Sequence, residues 1–501
     1  MGYSDLGCFG GEINTPNLDG LAKNGIRFTQ FYNGARCCPT RASLMTGLYP
    51  HEAGMGRMTG DDLGIPGYRG GITKETVTIA EVLRDAGYRT AMVGKWHAGS
   101  RPKEWPENRG FDRFHGIHHW VDSYWKVLPL CEVYENGKID IPATEDPPNR
   151  LHPDKEWYTT DVFTDWALEY IDEASKSDKP LFLYVAYNSP HFPLEAPDED
   201  IARYRNRYAE GWAPIRRERL KRMKQLGIVP KNTKLSRQIG PTWASLGEQQ
   251  RKELVFRRAI YAAQIDRMDQ NIGRIVDRLR QNRMLDNTLI LFLSDNGCSA
   301  EIGMFGLNFD KYRIDNFDQW RKASGWSVSQ GEAWANASNT PFKKYKKWAH
   351  EGGMRTPLIA HWPKGIKKTG QLSHEPGHIV DVMASCVDLA ETEYPSEYNG
   401  HVIKPMKGLS LVPLLRGEPR ESHKAIYCEH FLHASVRMGQ WKLVTVDFTK
   451  PKRWELYNIE KDPSEVNNLA ASNPQRVAAM KASFEAWAKE ANVVKVLKKK
   501  Q

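Results

Sequence analysis

The 501-residue chain is predicted to be an α/β protein: a large, mostly parallel sheet sandwiched by helices, with a small C-terminal subdomain of antiparallel sheet and helix. Three observations predict it. Helical segments alternate with short strands that are apolar on both faces, as in a sheet covered on both sides. Three of those strands end in polar sets, Lys95 with His97, His191, and Asp295 with Asn296. In open α/β sheets ligands bind beyond such carboxyl ends. After a linker near residues 415–419 the composition changes to short alternating segments, so 1–419 is expected to be the main domain and 420–501 the C-terminal one.

Taken in order, residues 15–22 read as a short helix with Pro16 in its first turn, and Gly25 stops it. Residues 26–32 alternate as a strand. At 35–47 two adjacent cysteines, Cys37 and Cys38, precede Pro39, Thr40 and Arg41 and then a run with helical apolar spacing. Backbone amides at that helix start, with the Arg41 guanidinium, make a pocket for an anion, and a cysteine at its mouth is a candidate nucleophile. A helix at 78–87 runs into a strand at 88–93 that ends in Gly94, Lys95, Trp96 and His97. A helix at 160–175 precedes the apolar strand 180–187, which ends at Pro190, His191, Phe192 and Pro193. The Arg- and Lys-rich segment 201–252 reads as an insertion of surface helices. A long helix over 254–281 and a strand over 288–293 lead to Ser294, Asp295, Asn296 and Gly297. A variable loop at 298–340, a strand at 358–362, four short C-terminal strands and a helix over 474–492 complete the chain.

Composition bounds the function. Hydrophobic residues at 40% and charged ones at 26% are those of a globular protein with a large core, and no apolar run reaches the length of a membrane span. The net charge of +10 suits a polyanionic substrate but comes with no nucleic-acid motif, and Lys495, Lys498, Lys499 and Lys500 read as a solvated tail. Seven cysteines are too few and odd in number for a disulfide framework, and the first residues show no signal peptide.

These residues resemble the type I sulfatases of the alkaline-phosphatase-like superfamily. The resemblance rests on C-x-P-x-R with its Thr-Gly ending at 37–47, Gly-Lys-Trp-His at 94–97, Pro-His-Phe-Pro at 190–193 and Ser-Asp-Asn-Gly at 294–297. It continues with Lys346 ahead of Glu-Gly-Gly at 351–353, with Pro363, and with Trp-Glu-Leu-Tyr at 454–457, so it spans essentially the whole chain. It implies that Cys37, two residues before Pro39, is oxidised to formylglycine by a maturation enzyme, while Cys38 falls on a variable position and packs. The implied mechanism has the aldehyde hydrate to a gem-diol. One hydroxyl, activated by a calcium ion, attacks sulfur and expels the alcohol; the other then helps eliminate sulfate and restore the aldehyde. Arg41, Lys95 and Lys346 would neutralise sulfate oxygens, His191 with Lys346 would protonate the leaving oxygen, and His97 would take the proton in the elimination. Asp295 and Asn296, with residue 37, would be the metal ligands, as hard oxygen donors suit calcium. An exported enzyme, periplasmic or secreted, acting on an aryl or carbohydrate sulfate is the implied function.

One departure carries its own expectation. The family pattern begins with an apolar strand ending in Asp-Asp, which supplies two further metal ligands, and Met1 stands just after that place. Asp5 does not match a ligand. The sheet is therefore expected to have an unfilled slot, and the 501-residue chain to bind calcium weakly and hydrolyse sulfate esters poorly, with either an internal Met taken for the start or a catalytically dead sulfatase-like protein as the explanation. A phosphodiester or phosphonate monoester hydrolase of the same superfamily and a non-catalytic glycan-binding relative are the rival functions. Substrate choice is expected in the loops at about 100–155, 195–250 and 298–340, whose aromatic and Arg side chains suit sulfated sugars. His51 and His350, beside the motifs, receive no role.

Overall fold

The structure, a computed structural model, describes residues 1–320, 322 and 328–495. Lys498, Lys499 and Lys500 of the basic tail, and part of the 298–340 loop, lie outside the described residues.

Ten strands build the main α/β unit: β1 (Ile26–Tyr32), β2 (Arg89–Lys95), β3 (Arg113–Ile117), β4 (Val133–Glu135), β5 (Lys138–Ile141), β6 (Leu181–Ala186), β7 (Ile290–Leu293), β8 (Arg355–His361), β9 (Gln371–Ser373) and β10 (Gly377–His378). They form two mixed five-stranded sheets. One runs β10-β1-β8-β7 with β9 also on β1, and the other runs β5-β4-β3-β2-β6. Parallel pairing joins β2 to β3 and β6, and β1 to β9 and β10, whereas β8 runs antiparallel to both β1 and β7. The apolar runs that suggested parallel strands report burial on two faces, and a central antiparallel strand such as β8, buried at every residue, has the same requirement.

The sheets end on β6 and β7, which do not pair with each other. Yet Leu181, Leu183 and Ile290 share one apolar cluster, and Phe182, Tyr184, Leu291 and Leu293 pack on another. The two edges therefore lie across a break between common hydrophobic layers. Met1 sits at the end of β7, its amino group 3.2 Å from Ser294 Oγ. Asp5 is fully buried and ion-paired to Arg219 and Arg258, at 2.8 and 3.1 Å, with Tyr261 donating to it.

Four helices set the site. α1 (Pro16–Lys23) carries Pro in its first turn, and α2 (Cys37–Thr46) is buried along its whole length and closed by Gly47 at φ 68°. α3 (Ile79–Asp85) opens with a capping box, Thr78 Oγ1 accepting from Glu81 N at 3.1 Å and Glu81 Oε2 from Thr78 N at 2.7 Å. α4 (Thr159–Ser175) packs against the helix Glu248–Gln281 over the β2/β6 sheet.

The segment 201–252 departs from expectation. Its helix Trp212–Gln225 is not a surface addition: Arg219 is fully buried, with Glu12 Oε2 at 2.6 Å from its Nε and Asp5 on its Nη1, and Met223 joins the core around Tyr3 and Phe9. The arginine reads as a surface residue only because its carboxylate partners are about two hundred residues away in sequence.

After the hairpin β11 (Glu397–Tyr398) and β12 (His401–Val402), the chain forms an antiparallel sheet of β13 (Ile426–His430), β14 (His433–Met438), β15 (Trp441–Thr445) and β16 (Trp454–Asn458), in that order. The helix Pro474–Glu490 covers it through Met480, Phe484 and Trp487, and Tyr49 of the main unit enters the same cluster. Buried charges fasten the two parts together. Lys442 Nζ lies 2.7 Å from Glu351 Oε1 and 3.3 Å from Glu465 Oε1, and Arg437 donates to Tyr32 Oη at 2.8 Å.

Candidate active site

The start of α2 sets Cys37 in place. Arg36 is extended, the helix begins at Cys37, and Thr40 Oγ1 accepts from Gly34 N at 2.9 Å, tying the strand-to-helix turn. Arg41, one turn on, reaches across to the ends of the strands. Its Nε is 3.1 Å from Asp295 Oδ2, and its Nη1 donates to the Lys95 carbonyl and to Tyr184 Oη, the latter at 3.3 Å. Gly94 lets β2 deliver Lys95 and His97: it takes φ 95°, and a Cβ there would stand 2.3 Å from the Ala186 carbonyl of the neighbouring β6. His97 is itself left-handed, at φ 56°.

A second group comes from the end of β6 and the segment before β8. His191, between two cis prolines, hydrogen-bonds through Nδ1 to the Phe192 carbonyl at 2.8 Å. That bond places the proton on Nδ1 and leaves Nε2 to accept from Lys346 Nζ at 2.8 Å. Lys346 also pairs with Glu301 Oε1 at 3.0 Å, and its backbone is held by the Cys298 carbonyl.

The electrostatics follow from this packing. Arg41, Lys95 and Lys346 are between 2% and 6% exposed, so three cations are buried within one region. Asp295 neutralises Arg41 and Glu301 neutralises Lys346, but among the described residues no carboxylate pairs with Lys95. Burial lowers the Lys95 ammonium. Burial, then Lys95, pulls His97 down to about 4, and burial, then Lys346, pulls His191 to about 3, so both imidazoles are neutral near pH 7. Hydrogen bonding from Cys38, with Lys95 and His97 nearby, holds the Cys37 thiol well below its ordinary value, while burial and Cys37 push Cys38 well above. Burial alone would raise Asp295 and Glu301, but Arg41 and Lys346 respectively outweigh it and hold both carboxyls low.

Asn296 is buried, its Nδ2 donates to the Gly297 carbonyl at 2.8 Å, and its Oδ1 has no hydrogen-bond partner among the described residues. The orphaned Asn296 oxygen and the Asp295 carboxylate are hard donors of the kind calcium takes, two of the six to eight oxygens it coordinates.

Sequence reasoning named Cys37, Arg41, Lys95, His97, His191, Lys346, Asp295 and Asn296, and the structure brings them to one end of the strands. It missed Glu301 and Tyr184. Glu301 sits in a loop with no motif, and Tyr184 reads as one more apolar strand residue. His51 and His350 turn away to the C-terminal sheet, pairing with Glu429 at 2.8 Å and Glu455 at 3.2 Å.

Buried cations gathered around a thiol at the carboxyl ends of α/β strands define a site for an anionic ligand. Comparison with known proteins gives the family. A family model described as Sulfatase matches residues 1–392, and one described as N-sulphoglucosamine sulphohydrolase, C-terminal, matches residues 342–490. An arylsulfatase of Klebsiella aerogenes is 34% identical over 422 residues, covering 82% of this chain and 89% of that protein. The crystal structure of Ps i-CgsB in complex with k-i-k-neocarrahexaose matches with a TM-score of 0.69 at 26% identity, over 97% of this chain and 90% of that one. A phosphonate monoester hydrolase of Agrobacterium radiobacter shares the fold, with a TM-score of 0.57 at 20% identity over 98% of this chain and 94% of that one. The chain belongs to the sulfatase family of enzymes. Among the described residues no helix is long and apolar enough to cross a membrane.

Proposed function

We propose that the chain hydrolyses the sulfate esters of carbohydrates or aryl alcohols, with residue 37 as the nucleophile once a maturation enzyme has converted Cys37 to formylglycine. The observation that carries this reading is the buried Lys95 ammonium, which has no carboxylate partner among the described residues and stands beside Cys37 and Arg41. A buried cation without a fixed counter-ion is stabilised by an anion that arrives with the substrate. Arg41, Lys95 and Lys346 hold the non-bridging sulfate oxygens, where negative charge builds as the ester bond breaks. His191 and Lys346 share a proton over 2.8 Å, and this pair delivers it to the leaving alcohol oxygen. His97, neutral and with an Nδ1 unpartnered among the described residues, is ready to take a proton during release of sulfate.

Asp295 and Asn296 would hold calcium, together with an oxygen on residue 37, and the ion would supply positive charge that makes that oxygen a better nucleophile. Tyr184 positions Arg41, and Glu301 positions Lys346.

The relative solved with an oligosaccharide supports a sulfated glycan as substrate. The reading places the enzyme outside the cytoplasm, as the family resemblance implies, and divides it into a catalytic unit at 1–419 and a C-terminal unit at 420–501. Support for that boundary is the C-terminal antiparallel sheet, which starts at Ile426.

The test is mass spectrometry of the peptide containing residue 37, from protein coproduced with a formylglycine-generating enzyme. An aldehyde at 37 that traps a hydrazine is expected. A quantitatively retained thiol, under conditions where a control sulfatase is converted, would overturn the reading and favour a non-catalytic glycan binder.

A further inference from the structure

Cys38 does more than fill the core. One ligand atom each from Cys37, Cys38 and His97 lies within 4.8 Å of the other two, and all three side chains are buried. We propose that, in the thiol form of the chain, these three side chains bind a thiophilic closed-shell cation, Zn2+, leaving one coordination position open. The inference uses the thiol at 37 as it stands and does not rest on sulfate ester hydrolysis.

Several features build this site. The helix start brings the thiols of two successive residues together, with Cys38 hydrogen-bonded to Cys37. His97 comes from a different element, and its left-handed backbone, at φ 56°, places the ring over the pair. A ring nitrogen of His97 lies within hydrogen-bond reach of Cys37, and its buried Nδ1 has no hydrogen-bond partner among the described residues. Thr59 Oγ1 lies 3.4 Å from Cys38 Sγ and 3.1 Å from the His97 carbonyl, so one hydroxyl ties the two donors to the same frame.

The donor set selects the ion. Two sulfurs and an imidazole nitrogen suit zinc in a tetrahedral site with one open position, and zinc–sulfur bonds of about 2.3 Å require only a modest contraction of this triangle. Asp295 and Asn296 offer oxygen alone, so a hard cation and a soft one would be sorted to different donor sets around residue 37. Lys95 and Arg41 are cations near the thiols. Any proton left on the two thiols leaves to solvent on binding, and two thiolates balance the charge of the divalent ion, so the loaded site is itself neutral beside Lys95. Conversion of Cys37 to an aldehyde removes one of the three donors. On the reading above, a bound ion and maturation therefore exclude each other.

The experiment is titration with Co2+, as a spectroscopic stand-in for zinc, of the reduced chain made without a maturation enzyme. A thiolate-to-cobalt charge-transfer band is expected at one ion per chain and should be displaced by Zn2+. It should be lost in Cys38→Ser and in chain converted at position 37. No band from the folded wild type, or a band unchanged in a folded Cys38→Ser variant, would overturn the proposal. Should Cys38→Ser fail to fold, X-ray absorption of the zinc-loaded wild type decides: two sulfurs and one imidazole nitrogen are expected, and any other protein ligand set contradicts it.

Discussion

Lys346 is held between a carboxylate and an imidazole, and this arrangement decides which way its proton moves. Glu301 Oε1 lies on one side, and one Lys346 N–H is directed toward the His191 Nε2 lone pair on the other. A donor to the leaving oxygen matters most when the alcohol leaves badly. His191→Asn should therefore slow esters of poorly acidic alcohols by about 10²-fold or more, while esters of acidic phenols lose much less; the slope of log kcat/KM against leaving-group pKa measures it. Glu301→Gln should cost less than Lys346→Ala in kcat/KM, because the first leaves the cation in place and the second removes one of the three cations proposed to hold the sulfate oxygens. The motif residues were legible because chemistry ties them to short fixed spacings at strand ends. Glu301 and Tyr184 were not, since each is recruited by a long-range contact that leaves no local pattern.

The strand β2 shows how the placement of an element can hang on one residue. Gly94 combines φ 95° with backbone contact to β6, so Gly94→Ala should destabilise by about 2 kcal/mol or more. Gly20, inside α1, faces open space, with no atom within 4 Å of where a Cβ would stand, so Gly20→Ala should gain up to about 1 kcal/mol. Urea midpoints of the two variants against wild type give opposite signs if this is right. At this scale most strands and helices were legible, because two-faced apolar runs and capped amphipathic segments are local signals. Strand direction was not: β8 is as apolar as its parallel counterparts, and only its pairing with β1 and β7 reveals its sense. The charged 201–252 segment misled for the complementary reason, since Arg219 is charged in the sequence but neutralised in the core by Asp5 and Glu12.

Across the whole molecule, buried charge and buried neutral histidine set the response to mutation and pH. Lys442 lies between Glu351 and Glu465 where the C-terminal sheet meets the main unit, and Lys442→Ala would leave two buried carboxylates facing each other. A loss of about 3–5 kcal/mol is expected, read as a lower unfolding midpoint. His97 and His350 are lowered to about 4, and His191 and His378 to about 3, from an ordinary 6.5. Below 6.5 the unfolded chain takes up these protons and the folded one does not, so these four groups favour folding fully above that pH. Their contribution declines as the pH falls from 6.5 toward 3–4, and the melting temperature should fall over that window; a melting temperature flat from pH 6.5 to 4 would contradict the burial of these rings. The division into an α/β unit and a C-terminal sheet was legible from composition. An unfilled slot in the sheet was expected from the family resemblance alone, and no property of β6 and β7 themselves announces the break between them.

The central claim is a sulfate ester hydrolase that depends on residue 37. Its most direct test is the rate of hydrolysis of an aryl sulfate against an aryl phosphate diester, with calcium present, by chain converted at position 37 and by Cys37→Ala. The account predicts that the sulfate is the faster substrate and that its turnover vanishes in the variant. A dominant diesterase rate, or sulfate turnover that survives Cys37→Ala, would contradict it.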